Sequence, residues 1–381
     1  MEFMFGIPSF VQFGPGVSAR LGETALSLGA KKVFFVYDQG VKAAGIVDGL
    51  LSSLQESDLE VVEYGDVTPN PPDTVVAEAT ALAKEAGIDL LVAVGGGSAI
   101  DCAKAINILQ TNPSPIHQYA GLNMVKSPTL PLIAIPTTAG TASEVTAFSI
   151  ITDTTNKKKM VIGGQFVGAT IALADPELTV GLPKALTAAT GMDALTHAIE
   201  AYVSKGAMIP TDINALKAIE IIVNNLPQAT RDGQDRDARC NMLLGSMLAG
   251  FAFNCAVLGL VHSIAHPLSV HCGLPHGVAN AVGLPWVMEF NAAAAPQKTR
   301  DIAVAMGLDV ADLSDEQAAA AAVDKVLDLS KELKIPTLRE LGVSRDIFDT
   351  LANDALAELS TLFNPREPSK NDILAILDKA Y

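Results

Sequence analysis

The sequence predicts an α/β plus all-α chain: an N-terminal parallel-sheet domain, residues 1–180, followed by a C-terminal helical domain, residues 181–381. Three observations lead there. From about residue 30, short runs rich in β-branched and aromatic residues alternate with amphipathic segments, as strands covered on both faces by crossover helices do. Beyond Asp175-Pro176 and Gly181-Leu182-Pro183 those runs stop, and long segments of helical period replace them. The chain of 381 residues also exceeds the ~250–300 residues at which single cores stop growing.

Taken in order, KKVFFVYD predicts a strand, VDGLLSSLQ a helix, EVVEYGDV a strand, VVAEATALAKEAG a helix and LLVAVGGGS a strand ending in a glycine turn. SAIDCAKAINIL continues as a helix, and LPLIAI is a further buried strand. In the second half TDINALKAIEIIVNNL, DARCNMLLGSMLAGFAF and the Ala-rich EQAAAAAVDKVLDLSKEL carry the helical period. One more helix is expected after Asn364-Pro365-Arg366.

Hydrophobic residues make up 49% and charged residues 18%, a globular composition. A formal charge of −16 argues against nucleic acid or an anionic membrane surface as partner, since both repel an acidic protein. Lys157, Lys158 and Lys159 are too short a run to reverse that. The four cysteines, Cys102, Cys240, Cys255 and Cys272, have no paired spacing and suit a reducing compartment. No run approaches the ~20 apolar residues of a membrane span, and the start lacks the basic segment of a signal peptide. A cytoplasmic protein is expected.

The G-x-G-x-x-G spacing of an ordinary Rossmann domain is absent after the first strand. Gly95, Gly96, Gly97 and Ser98 offer the same physical device: they end one strand and open a helix, so bare backbone N–H groups at a helix N-terminus face outward toward a diphosphate. The domain therefore reads as Rossmann-like; a turn needing glycine for steric reasons alone is the alternative. Asp38 closes VFFVYD, where a carboxylate accepts hydrogen bonds from an adenosine ribose and repels a 2′-phosphate, favouring NAD over NADP. It could equally be a helix cap.

Five of the six histidines lie between positions 197 and 276. On a helix over LTAATGMDALTHAIEAYV, Asp193 and His197 stand one turn apart, about 6 Å along the axis, and can share a cation. A second pair at the same spacing, His262 and His266, sits in the apolar LGLVHSIAHPLSVHCGLPHG, where buried polar groups need compensation.

GMDALTHAIEAY, the H-x-x-x-H pair and the following PHG resemble the iron-dependent (group III) alcohol dehydrogenase family. The likeness extends from FGIPSFVQFGPG to NPREPSKNDI. It implies a dehydroquinate synthase-like architecture and a metal held by Asp193, His197, His262 and His276. It also implies cofactor contacts from Asn70, Thr137, Thr138, Thr141 and Lys159. The chain departs from the family where relatives often read H-Q-L-G-G: here stand His266, Pro267, Leu268, Ser269 and Val270.

The resemblance implies an NAD-dependent, metal-dependent alcohol dehydrogenase interconverting a small primary alcohol or diol and its aldehyde. One carboxylate and three imidazoles suit Fe(II) or Zn(II); the family tips the expectation to iron. His266, one turn beyond His262, is expected to relay the alcohol proton as the catalytic histidine. Phe251, Phe253 and Leu258 either narrow the substrate end or are plain core, while His271 and His117 read as structural and loop residues. The domains are expected to close on a cleft and the chain to assemble as a homodimer or higher homo-oligomer. The rival readings are a glycerol-dehydrogenase-like enzyme, a dehydroquinate-synthase-like lyase and a non-catalytic metal- or NAD-binding protein. The lyase needs cations around its carboxylated substrate, and residues 245–295 contain no Lys or Arg.

Overall fold

The computed structural model describes residues 2–381. They divide into two compact units: Ile7–Val180, and Gly181–Tyr381 together with the described residues before Ile7. The expected first domain, 1–180, thus loses its start to the helical unit. The cause is local: Asn254 Nδ2 donates to the Gly6 carbonyl at 3.0 Å.

The first unit holds strands β1 (Phe10–Phe13), β2 (Lys32–Tyr37), β3 (Glu60–Tyr64), β4 (Leu90–Gly95), β5 (Gly121–Leu122), β6 (Leu132–Pro136), β7 (Phe148–Asp153), β8 (Lys158–Gly163) and β9 (Ile171–Ala174). Its helices are α1 (Leu21–Ser27), α2 (Gln39–Ala43), α3 (Ile46–Gln55), α4 (Asp73–Ala86) and α5 (Gly97–Thr111). Six strands form a parallel sheet in the order β1-β9-β6-β4-β2-β3. Successive β2 residues go to opposite faces, Val33 and Phe35 into one core with α1 and α3, Phe34 and Val36 into the other with α4 and α5. Phe34 and Phe35 are fully buried, each contributing roughly 1.5–3 kcal/mol of apolar burial. The strand order reverses between β2 and β4, so their C-terminal ends flank the topological switch point where open α/β sheets bind ligands.

A second, three-stranded sheet, β5-β8-β7, was not legible in the sequence. Its β7–β8 hairpin turns through Asp153, which accepts from the Thr155 and Asn156 N–H groups, and through Lys157 at φ 49°. The lysine run read as a charge feature is the start of a strand.

The second unit is helical: α6 (Lys184–Val203), α7 (Ile209–Arg231), α8 (Arg236–Ala256), α9 (Leu260–Cys272) and α10 (His276–Ala292) build its centre. Helices α11 (Pro296–Ala305), α12 (Asp315–Glu332), α13 (Phe348–Ala357) and α14 (Lys370–Ala380) surround them. Gly191 lets α6 press against α7 and α8, since a Cβ there would lie 2.2 Å from Leu226 Cδ1 and 3.0 Å from Met242 Cε. The chain bends by 102° between α8 and α9, through Val257 at φ 62°. A β-branched residue rarely adopts that conformation, and such strain costs of order 1–3 kcal/mol. Among the described residues no single helix is long and apolar enough to cross a membrane.

Candidate metal centre

Four ligand-type atoms converge in the helical unit. Asp193 and His197 come from one face of α6, His262 from the first turn of α9 and His276 from the first residue of α10. From Asp193 Oδ1 the imidazole Nε2 atoms lie at 3.8 Å (His197), 3.9 Å (His262) and 3.8 Å (His276). All four atoms fall within 4.8 Å of one another. Metal bonds of about 2.0–2.2 Å place tetrahedral ligands roughly 3.3–3.6 Å apart, so the three distances from Asp193 lie within a few tenths of an ångström of ligation geometry.

Asn280, one turn after His276 and fully buried, tests whether a cation fits. Its Nδ2 lies 2.6 Å from Asp193 Oδ1, 3.0 Å from His262 Nε2 and 3.1 Å from His276 Nε2. One amide nitrogen has two hydrogens, and three acceptors converge on it. Its own Oδ1 is buried without a partner. A donor set so rich in lone pairs fits a positive ion.

Electrostatics keep the imidazoles ready. Burial, then repulsion from His197 and His266, holds His262 well below the usual imidazole range. Burial likewise holds His276 well below it, against the Asp193 carboxylate, which pulls the other way. Neutral rings offer lone pairs. Stacking fixes them: His197 lies 4.4 Å from Phe253 and 4.7 Å from His262, centroid to centroid. Phe253, read as a substrate wall or core, is a platform for a ligand ring.

His266 stands beside the four-residue cluster and not in it. Its ring stacks at 5.6 Å on His276, and its Nδ1 lies 3.1 Å from Glu358 Oε2. Pro267, inside α9, leaves the helix running to Cys272, and Ser269 Oγ is buried without a partner. His271 pairs with Asp354 at 2.7 Å, away from the cage. In the first unit His117 is more than a loop residue: its Nε2 lies 2.8 Å from Asp73 Oδ2 and 3.8 Å from Asp153 Oδ1, tying α4 to the β7–β8 hairpin.

Glu200 is not singled out by the Asp193/His197 spacing, although it shares a face of α6 with them at i+7 from Asp193. It is 2% exposed; Oε2 lies 2.6 Å from His262 Nδ1, and Oε1 accepts from the Val261 N–H at 2.6 Å. Burial pushes its carboxyl up to about 7, opposed by backbone N–H groups of Gly259, Val261 and His262 at the start of α9. Asn364 Oδ1 takes the neighbouring Leu260 N–H at 3.2 Å. Asn280 is not singled out either, though its spacing from His276 is the i, i+4 signal used elsewhere.

The sheet unit gathers the expected cofactor residues at its switch point. Gly95 has φ 149°, and a Cβ on Gly97 would lie 2.7 Å from Thr141 Cγ2. Thr138 Oγ1 stands 3.3 Å from the Cβ position of Gly96, and the Thr137 N–H donates to the Gly95 carbonyl at 3.0 Å. Asp38 is the helix cap that stood as the alternative: Oδ1 accepts from the Gly40 and Val41 N–H groups at the start of α2, while Oδ2 lies 3.1 Å from the Cβ position of Gly95. Lys159 Nζ donates to Asn70 Oδ1 at 2.8 Å and Thr152 Oγ1 at 3.1 Å, and the Asn70 N–H donates to Ser98 Oγ at 3.3 Å. Beneath them lie two residues the sequence reading passed over. Buried Lys104 donates to the Ser143, Thr146 and Phe148 carbonyls, and Asp101 accepts from Ser143 Oγ and the Ile150 N–H.

A parallel α/β unit with a glycine turn at its switch point, and a helical unit with an Asp/His₃ cage, define a metal-dependent, dinucleotide-binding oxidoreductase. Residues 8–176 match the model of iron-containing alcohol dehydrogenases, and residues 187–381 that of the C-terminal part of the Fe-containing alcohol dehydrogenase family. The chain is 44% identical to the 1,3-propanediol dehydrogenase of Klebsiella pneumoniae, over 100% of this chain and 99% of that one. It is 39% identical to the NAD-dependent methanol dehydrogenase of Bacillus methanolicus, over 99% of each. A solved 1,3-propanediol oxidoreductase superposes with a TM-score of 0.97 at 43% identity, covering 100% of both chains. The chain belongs to the iron-containing alcohol dehydrogenase family and is an oxidoreductase of alcohols and aldehydes that works with NAD and a divalent metal.

Proposed function

We propose that this enzyme is an iron(II)-dependent, NAD-specific dehydrogenase of small primary alcohols or diols, working reversibly with the aldehydes. The reading is carried by the Asp193, His197, His262 and His276 cage, whose four ligand atoms lie within 4.8 Å of one another. When bound, a divalent ion supplies Lewis acidity to the substrate oxygen. The donor set admits Fe(II) and Zn(II) alike, and the family favours iron. Small alcohols and diols are supported by the names of the similar enzymes and by the absence of Lys and Arg from residues 245–295, which leaves a carboxylated substrate without a counter-charge there. NAD over NADP is supported by the Asp38 carboxylate at the end of β2.

The protein's own residues orient and move protons. Asp193, His197, His262 and His276 would hold the ion, and the backbone N–H groups of Gly97 and Ser98, at the start of α5, would face the diphosphate. His266 takes the hydroxyl proton on one ring nitrogen while its Nδ1 stays against Glu358, whose carboxylate is near enough to stabilise the charged ring. We further place the enzyme in the cytoplasm, supported by four free cysteines, as a homodimer or higher homo-oligomer.

The test is an anaerobic assay with Fe(II), NAD and a panel of C2 to C4 alcohols and diols, followed by NADH absorbance. No reduction with any of them at saturating metal overturns the reading. A His266→Ala variant that binds metal and NAD normally and keeps full turnover removes the proton relay. Metal analysis of protein purified without oxygen decides iron against zinc, and light scattering reads the assembly.

A further inference from the structure

Glu200 is a buried acid whose partners are the Val261 N–H and the imidazole of His262. Beyond it lies a small, mostly apolar cavity lined by Ile199, Val203, Val261 and Leu284, with Asn291 and Thr299 also on its wall. The contact with His262 is directional: Nδ1 faces Glu200 Oε2 at 2.6 Å while Nε2 faces the cage. The other carboxylate oxygen is taken by the Val261 N–H, a donor that cannot reverse its role.

We propose that Glu200 is the positioning residue of this metal centre: it fixes His262 as the tautomer protonated at Nδ1, leaving the Nε2 lone pair for the ion. This rests on the metal reading above. A carboxylate that holds the outer nitrogen of a metal-bound histidine raises its basicity and fixes its ring.

Glutamine tests the idea because it has the shape but not the two acceptors. With its oxygen on the Val261 N–H, its NH₂ faces His262 Nδ1 and selects the wrong tautomer; turned over, the NH₂ opposes the Val261 N–H. Full-length Glu200→Gln, stripped of metal, is titrated with Co²⁺ against a chelator while the visible d–d bands are recorded. The expected result is a Kd weakened roughly 10–100-fold with altered bands, and an unchanged melting temperature for the metal-free protein. Wild-type affinity with unchanged bands overturns the proposal. Should the variant fail to fold, the wild-type chain with ¹⁵N-labelled histidine and Zn²⁺ answers the same question. A hydrogen directly coupled to His262 Nδ1 supports it; a bare or metal-bound Nδ1 sinks it. Asp193→Ala separates the two claims: if it still binds Co²⁺ at wild-type affinity, the metal reading itself falls, whereas normal binding by Glu200→Gln alone removes only the role of Glu200.

Discussion

Substituting Gly277 by alanine perturbs the cage without touching a ligand. Gly277 follows His276 at the start of α10, and a Cβ built there lies 2.6 Å from the Ala189 carbonyl oxygen, 2.9 Å from its carbon and 3.4 Å from Asp193 Cβ. The oxygen contact is about 0.8 Å inside the 3.4 Å at which ordinary contact begins. Its atoms belong to the α6 backbone, whose neighbours at Gly191 leave no slack, so α10 must move away. Metal sites tolerate errors of about 0.2 Å in ligand distance. A shift several times that size pulls His276 out of reach. Overpacking of this kind costs about 1–3 kcal/mol, and the loss of one of four ligands should weaken Co²⁺ binding at least tenfold. The assay is a chelator competition on metal-stripped protein alongside a denaturant titration. Gly277→Ala with both wild-type stability and wild-type Co²⁺ affinity would refute the idea that backbone contact between α6 and α10 sets the cage.

Other outcomes follow from the same geometry. Burial pushes the Glu144 carboxyl up to about 7, against the pull of Lys104. The folded chain therefore holds a proton there that the unfolded chain releases near 4.5, and stability attributable to this group falls as pH rises from 4.5 to 7. Glu144→Gln should match the parent near pH 4.5 and exceed it at pH 8 by on the order of 1–3 kcal/mol; parallel urea profiles across that range would contradict this. Asn280→Leu removes the donor facing Asp193 and should cost the metal-free protein about 1–3 kcal/mol. Saturating Co²⁺ should restore most of that, because the ion satisfies the same atoms; a deficit unchanged by Co²⁺ in thermal melts argues against it. Asp38→Ser keeps a capping side chain for α2 and removes the charge, so kcat/KM with NADP should rise at least tenfold while the melting temperature holds; unchanged discrimination would show that Asp38 is a cap alone.

Much of the fold was written locally. The β2 and β4 runs are continuously apolar because both faces of a parallel strand are covered, and Gly95–Ser98 mark the turn because only small residues let the backbone approach so closely. The site was half legible: Asp193 and His197 declare themselves by spacing on one helix, and so would Glu200 and Asn280 if the same helical faces were followed one turn farther. Other features leave no such mark. β1 and β9 are four residues each and pair across more than 150 positions, and the β7–β8 hairpin is hidden under a lysine run that reads as surface charge.

By itself the sequence determined the central strands and the long helices, where the sheet gives way to helices, and which residue types could hold a cation and a diphosphate. Those properties depend on periods of two to four residues and on the chemistry of single side chains. Tertiary structure alone decided that α9 and α10 deliver His262 and His276 to the face of α6. It also put a glutamate behind one imidazole and an amide among the ligands, and sent the first residues to the helical unit. Such meetings are sums of many weak contacts between distant segments, such as the glycine-sized gaps at Gly191 and Gly277, and no local pattern encodes a sum.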